Sequence, residues 1–124
     1  MPVVSHADSR RTETPNAVMT THASATQGGS SIALWRVEMN PGVTGPLHTF
    51  DVDQVWTVLD GGAEVELGAD QVRAGRGDTI VMPAGVDRQI HSDDEAGLTA
   101  VVAAPAGARA TPDGGEPVVP AWIR

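Results

Sequence analysis

Residues 41–61 read PGVTGPLHTFDVDQVWTVLDG, and this stretch decides the fold. It opens with a proline-glycine turn, presents His48, passes an acidic loop and continues as the apolar run 54–59. Asp60, Gly61 and Gly62 follow, and they predict a tight hairpin, because a two-residue turn of the primed type needs residues that tolerate positive φ. The stretch therefore predicts paired short strands that carry one histidine.

Short strands also flank this stretch on both sides. Upstream, residues 16–23 and 32–39 are strand-like, and alternation over 32–39 predicts that Ala33, Trp35, Val37 and Met39 face the core. Further strands are predicted over 47–50, 54–59, 63–67, 71–74, 78–82, 87–91 and 98–103, with turn signals between them. No segment has the pattern of a helix of useful length. The chain is therefore predicted to be an all-β sandwich or closed barrel.

Composition limits the number of domains and the kinds of partner. A chain of 124 residues suits a single domain. Its net charge of -8 argues against nucleic-acid binding, which needs a basic face. No apolar run reaches the roughly 18 residues that a membrane span needs, and no signal peptide is evident. We expect a cytoplasmic protein whose partner is a small molecule, with no nucleic-acid or membrane partner.

Two sets of spacings resemble the two motifs of the cupin superfamily, which are small β-barrels of the jelly-roll type. The first motif is G-x5-H-x-H-x3,4-E-x6-G, and its positions hold Gly42, His48, Phe50, Gln54 and Gly61. The second is G-x5-P-x-G-x2-H-x3-N, and its positions hold Gly77, Pro83, Gly85, Arg88 and Ser92. The resemblance covers about residues 32–103. It implies an all-β, cupin-type jelly-roll β-barrel as a single domain over residues 16–124, with its core motifs in 41–92, after a flexible N-terminal arm over 1–15.

The ligand positions depart from the metal-binding form of these motifs. In metal-binding cupins, the histidines and the glutamate of the first motif and the histidine of the second hold one divalent ion. Here His48 remains, but Phe50, Gln54 and Arg88 occupy the other three positions. Arg88 places a fixed positive charge where the ion would lie, and three protein ligands are the usual minimum for a catalytic site. We therefore expect no cofactor. The alternative is one divalent transition metal held by His48 and Gln54 with either His22 or His91.

Strand alternation predicts which side chains share the barrel interior. If His48 and Phe50 point inward, Gln54, Trp56 and Val58 do so on the next strand. We predict that the catalytic residues are His48, Arg88 and Gln54, and that the substrate-binding residues are Phe50, Trp56, Val58, Met82 and Ile90. His48 would act as general acid or base. Arg88 would hold a carboxylate or an enolate, or stabilise charge on a carbonyl oxygen, and Gln54 would orient either partner.

Purely structural roles for these residues remain open. His48 and Gln54 could bond each other or the backbone in an inactive barrel, and Arg88 could form an ion pair with Asp53 or Asp87. Three function classes follow. The first is a metal-independent cyclase or isomerase of specialised metabolism that acts on a carbonyl-bearing, largely apolar substrate. The resemblance supports this class, because similar small cupins often belong to specialised metabolism, including polyketide cyclisation. The alternatives are a metal-dependent, quercetinase-like dioxygenase and a non-catalytic cupin that binds a small ligand. The resemblance also implies a homodimer.

Overall fold

The computed structural model describes residues 3–124. Within them lie a short 3-10 helix, His6–Asp8, and ten strands. The strands are β1 (Arg10–Glu13), β2 (Val18–Ala23), β3 (Ile32–Met39), β4 (His48–Phe50), β5 (Gln54–Leu67), β6 (Asp70–Gly75), β7 (Thr79–Met82), β8 (Arg88–Ser92), β9 (Leu98–Pro105) and β10 (Ala110–Pro112). In this part of the chain, no helix has the length and apolar character that crossing a bilayer requires.

The strands form two antiparallel sheets that share β5. The first sheet has the order β1-β2-β3-β9-β5-β7, and the second has the order β6-β5-β8-β4-β10. The N-terminal part of β5 pairs with β7 and β9, and its C-terminal part pairs with β6 and β8. The predicted all-β fold is confirmed, and the two curled sheets enclose one apolar core.

Strand β3 shows how the sequence pattern produces this core. Its residues alternate between exposed and buried along the whole strand, and the four predicted to face inward are the buried ones. Strand β9 pairs with β3 residue by residue, so that Trp35 lies beside Val102 and Val37 beside Ala100. These neighbours are small, which leaves room for the indole ring of Trp35 to extend into the barrel.

The hairpin predicted at residues 60–62 is wrong. Strand β5 runs without a turn from Gln54 to Leu67, and its register against β9 shifts between Val58 and Asp60. Gly61 has a φ of 69°, and a Cβ placed on it would lie 2.0 Å from the carbonyl oxygen of Gly97. The positive φ therefore belongs to a β-bulge and not to a turn. The bulge bends the strand from the first sheet into the second.

The N-terminal segment also differs from the sequence prediction. The arm predicted over residues 1–15 includes Met1 and Pro2, which lie outside the described residues. The rest contains β1, which pairs with β2 from Arg10↔Thr21 to Glu13↔Val18. Strand β1 forms through main-chain pairing with β2. Its side chains are polar, so the sequence has no alternation of apolar residues there that would predict a strand.

The C-terminal residues pack on the same barrel. Ile123 is completely buried. The Thr21 hydroxyl donates a hydrogen bond of 2.6 Å to the carbonyl oxygen of Trp122, and the side chains of Arg10 and Thr26 both donate to the carbonyl oxygen of Arg124. These bonds fix Trp122 beside β2.

Candidate functional site

A cavity of about 360 Å³ lies inside the barrel. Its wall consists of the inner faces of β2, β3, β4, β5 and β8, together with the N-terminal turn at residues 14–17 and C-terminal residues between 110 and 122. Most of the wall is apolar or aromatic, and the volume falls in the usual range for small-molecule sites. Among the wall residues, His48 is the single side chain that titrates in the physiological range.

His48 is held by the loop that precedes β4. Its Nδ1 lies 2.8 Å from the carbonyl oxygen of Pro46. The backbone N–H of Gly45 donates to Ile90, and the Gln89 amide donates to the carbonyl oxygen of Gly45, so the loop is tied to β8. A carbonyl oxygen can only accept, so Nδ1 carries the proton and the neutral ring keeps its lone pair on Nε2. The ring is therefore prepared to take a proton at Nε2.

The surroundings of His48 favour its neutral form. Burial lowers the pKa of His48 below its ordinary value of 6.5, the bond to Pro46 raises it, and the charge of Arg88 lowers it. The Phe50 ring meets the imidazole edge to face, with centroids 5.4 Å apart. Near neutral pH the imidazole is therefore mostly uncharged, which is the state that a general base requires.

Gln54 and Trp56 form a second polar element, on the inner face of β5. Trp56 Nε1 donates to Gln54 Oε1 at 3.2 Å, and Gln54 is almost fully buried. An indole nitrogen is only a donor, which identifies the accepting atom as the oxygen of the Gln54 amide. None of the hydrogen bonds within residues 3–124 uses the amide nitrogen of Gln54. Gln54 borders the cavity, and its N–H groups are unpaired within the described residues.

Arg88 is separated from the cavity by Phe50. Its guanidinium donates to the carbonyl oxygens of Pro83, at 2.7 Å, and Val86, and its Cζ lies 5.6 Å from the centroid of the Phe50 ring. The side chain is completely buried, and its Nη1 has no hydrogen-bond partner among residues 3–124. Burial lowers the pKa of Arg88, whereas Asp53 and Asp87 raise it.

Because Arg88 does not border the cavity, a molecule there would feel its charge only through the electric field. His48 and Arg88 are paired across β4 and β8, yet the buried guanidinium lies outside the cavity wall while the imidazole borders the cavity. Among the described residues, no carboxylate oxygen lies within 4.0 Å of the Arg88 guanidinium. Arg88 therefore forms no direct ion pair with Asp53 or Asp87.

The other predicted site residues divide into two groups. Phe50, Trp56 and Ile90 border the cavity with His48 and Gln54. Val58 and Met82 lie in the packed core and do not border it, because the inner face of the barrel is longer than the cavity. Strand alternation predicts which face of the sheet a side chain occupies, but not its position along the barrel interior.

The structure does not bring His22 or His91 into the cavity wall. His91 Nδ1 bonds the Thr44 hydroxyl at 2.9 Å, and its Nε2 lies 3.6 Å from a carboxylate oxygen of Glu66. His22 lies on β2, where burial, Arg36 and His6 lower its pKa. Within residues 3–124, no group of three or more His, Asp or Glu side chains is arranged to hold a metal ion.

Sequence reasoning missed part of the wall. Trp35 was predicted to be buried, and its position on the inner face of β3 could have identified it as a wall residue. The wall also includes Asn16, Val118, Pro120 and Trp122, and neither a motif nor strand alternation places them there. Their positions depend on the contact between Trp122 and Thr21, which are 101 residues apart.

A family model described as a cupin domain, Cupin_2, matches residues 35–103, which is more than half of the chain. This chain belongs to the cupin family. The predicted resemblance is confirmed. A comparison of this cupin with curated proteins gives no match.

Solved structures with the same fold include three informative examples. The polyketide cyclase RemF from Streptomyces resistomycificus has a TM-score of 0.72 at 20% identity, over 87% of this cupin and 81% of RemF. Oxalate decarboxylase from Bacillus subtilis has a TM-score of 0.71 at 18% identity, over 82% of this cupin but 28% of that chain. The conserved SPY1581 protein of unknown function from Streptococcus pyogenes has a TM-score of 0.61 at 24% identity, over 75% and 77% of the chains. These likenesses support the jelly-roll barrel.

A divalent metal does not fit the residues that this cupin presents at the family's ligand positions. They are one histidine, one amide whose oxygen is already bonded to Trp56, one phenyl ring and one enclosed guanidinium. A phenyl ring and a guanidinium donate no lone pair to a metal, and two neutral ligands fall short of the usual three.

Proposed function

We propose that this cupin is a metal-independent cyclase or isomerase of specialised metabolism, acting on a carbonyl-bearing, largely apolar small molecule. The observation that carries the proposal is His48, a neutral imidazole with its Nδ1 proton bound to Pro46, in the wall of an apolar cavity. RemF, whose fold is similar, is a polyketide cyclase, which supports this class of reaction.

The proposed chemistry starts with proton removal next to a carbonyl group. His48 Nε2 takes a proton from the α-carbon, and the electron pair moves to the carbonyl oxygen to give an enolate. The N–H of Gln54 donates to this oxygen, and the field of Arg88 favours its negative charge. For isomerisation, His48 returns the proton to a different carbon. For cyclisation, the enolate carbon bonds to a second carbonyl carbon of the same molecule, and that oxygen takes the proton from His48.

Deuterium exchange into methyl naphthyl ketone tests the proton step. This flat ketone has exchangeable protons next to its carbonyl group, and NMR in D₂O follows their replacement. We expect the wild-type protein to accelerate the exchange and His48→Gln to lower the acceleration by a factor of about 100 or more, as for loss of a general base. His91→Gln is the matched control, because His91 lies outside the cavity wall. Equal exchange rates for the wild type and His48→Gln would contradict the proposal.

Two further results would favour the alternative functions. Stoichiometric iron, nickel, copper or zinc in the purified protein would contradict metal independence and favour a dioxygenase. Binding of the ketone without any accelerated exchange would favour a non-catalytic cupin that carries or senses its ligand.

A further inference from the structure

Two almost fully buried residues of the cavity wall, Trp35 and Gln54, carry side-chain N–H groups that make no hydrogen bond within residues 3–124. The Trp35 indole N–H makes no hydrogen bond within residues 3–124, although only 2% of the residue is exposed and it borders the cavity. The Gln54 amide nitrogen adds further free N–H groups, while its oxygen is used by Trp56. The acceptors of the wall include Nε2 of the half-buried His48 and the side-chain oxygen of the half-buried Asn16. A ligand that satisfies the wall must therefore bring an acceptor of its own.

The free donors lie together on one sheet. Trp35 on β3 and Trp56 on β5 both pair with Val102 of β9, so their side chains share one row on the inner face of the first sheet. Gln54 precedes Trp56 by two residues and lies on the same face. His48 and Phe50 belong to β4 in the second sheet. A molecule in the cavity thus has donors on one side and the base on the other.

We propose that the cavity selects neutral, flat carbonyl compounds and rejects carboxylates, with the carbonyl oxygen accepting hydrogen bonds from Gln54 and Trp35. The inference rests on the proposed function and narrows its substrate class. The aromatic rings of Trp35, Trp56 and Phe50 border the cavity and suit contact with a planar molecule.

Rejection of carboxylates follows from the position of Arg88. A carboxylate that enters the cavity loses its hydration, and only a directly paired cation would offset that loss. The guanidinium is hydrogen-bonded to the carbonyl oxygens of Pro83 and Val86 and lies behind Phe50. Within residues 3–124, no arginine borders the cavity. Attraction across the phenyl ring is weaker than direct contact. A neutral ketone needs only the donors that the wall already holds.

Three naphthalenes of nearly equal shape test this selection. Methyl naphthyl ketone, naphthoate and ethylnaphthalene, substituted at the same ring position, present a carbonyl group, a carboxylate and an apolar group. Calorimetric titration of the wild-type protein is expected to show the ketone binding at least about tenfold more tightly than naphthoate, and about threefold to tenfold more tightly than ethylnaphthalene. Naphthoate binding as tightly as the ketone, equal affinity for all three, or no binding of the ketone would each overturn the inference.

Two variants locate the donors. Trp35→Phe and Gln54→Met should each lower the affinity for the ketone about threefold to tenfold and leave that for ethylnaphthalene within about twofold. Gln71→Met makes the same chemical change as Gln54→Met at an exposed residue outside the cavity wall, and we expect it to keep the preference for the ketone. A preference that survives in both Trp35→Phe and Gln54→Met would contradict the assignment of donors.

The wild-type protein offers a readout that needs no variant to fold. The ketone should move the indole N–H signal of Trp35 downfield, and ethylnaphthalene should not. An unmoved Trp35 signal at saturating ketone would remove Trp35 from the site. The exchange assay is independent of this result, since a protein that binds the ketone selectively but does not exchange its protons retains the selection and loses the proposed catalysis.

Discussion

His48 owes its chemical state to one backbone oxygen and to its burial. The carbonyl of Pro46 holds the Nδ1 proton, which leaves Nε2 as the basic atom. Pro46 has no N–H to donate, so its backbone presents only an acceptor to the ring. The loop is in turn bonded to β8. The tautomer is therefore a property of the fold.

The depressed pKa of His48 predicts a dependence of stability on pH. Burial is the largest cause of the shift below 6.5. As the pH falls through 6.5, the unfolded chain takes up a proton that the folded protein does not, so the free energy of unfolding decreases until the folded pKa is reached. Urea unfolding at about pH 7.5 and about pH 5.5 measures this loss.

The control for this experiment is His48→Gln, which should lose less stability over the same pH interval. His22 contributes in the same direction because its pKa is also lowered, so His22→Gln serves as a parallel variant. An identical pH dependence in the wild type and His48→Gln would show that His48 titrates alike in the folded and unfolded protein.

Individual site residues were partly predictable. Alternation correctly placed His48, Gln54 and Trp56 toward the cavity, because the period of a strand determines which face a side chain occupies. Alternation gave no information on whether a side chain reaches the cavity, and Arg88 is an example. Its side chain begins opposite His48 but ends among the carbonyls of the Pro83–Val86 turn, which no local pattern specifies.

At the scale of elements, Gly61 allows β5 to serve both sheets. The residue combines a positive φ with a backbone contact that leaves no space for a Cβ. Local sequence shows that residues 60–62 tolerate positive φ, but a hairpin and a bulge require the same tolerance. The distinction depends on β9, which supplies the contact through Gly97.

Gly61→Ala should destabilise the protein severely. Strain at positive φ costs about 1–2 kcal/mol, and the clash with the Gly97 carbonyl adds about 1–3 kcal/mol. Gly107→Ala is the matched control, because Gly107 has a φ of 76° but no atom within 4 Å of its added Cβ. Chemical denaturation of both variants separates the clash from the strain. Equal losses of stability would contradict a close contact at Gly61.

At the scale of the whole molecule, the two chain ends complete the cavity. The N-terminal turn and the C-terminal residues both border it, and the hydrogen bond from Thr21 to Trp122 joins them through β2. The barrel could be predicted from local alternation and motif spacing. This part of the wall could not, because it is formed by residues from the two ends of the sequence that meet only in the folded chain. The predicted homodimer and cytoplasmic location stay predictions.

Thr21→Val tests the connection between the chain ends. The substitution keeps the shape of the side chain and leaves the Trp122 carbonyl without its donor, at a cost of about 1–3 kcal/mol. Thr20→Val is the control, since the Thr20 hydroxyl has no hydrogen bond within the described residues. Thermal unfolding measures the difference between the two variants. If Thr20→Val proves as destabilising as Thr21→Val, the bond to Trp122 does not hold the C-terminal residues in place.

The passage of β5 through both sheets has a consequence for folding. Its partners β9 and β8 come later in the sequence, so pairing requires the closure of long loops and makes slow folding the expectation. Both ladders belong to one continuous strand, and we expect the amides of Val58 and Val65 to exchange with solvent through the same global opening. One covalent strand thus connects the wall that carries the donors to the sheet that carries the base, and we expect thermal fluctuations of the two walls to be correlated.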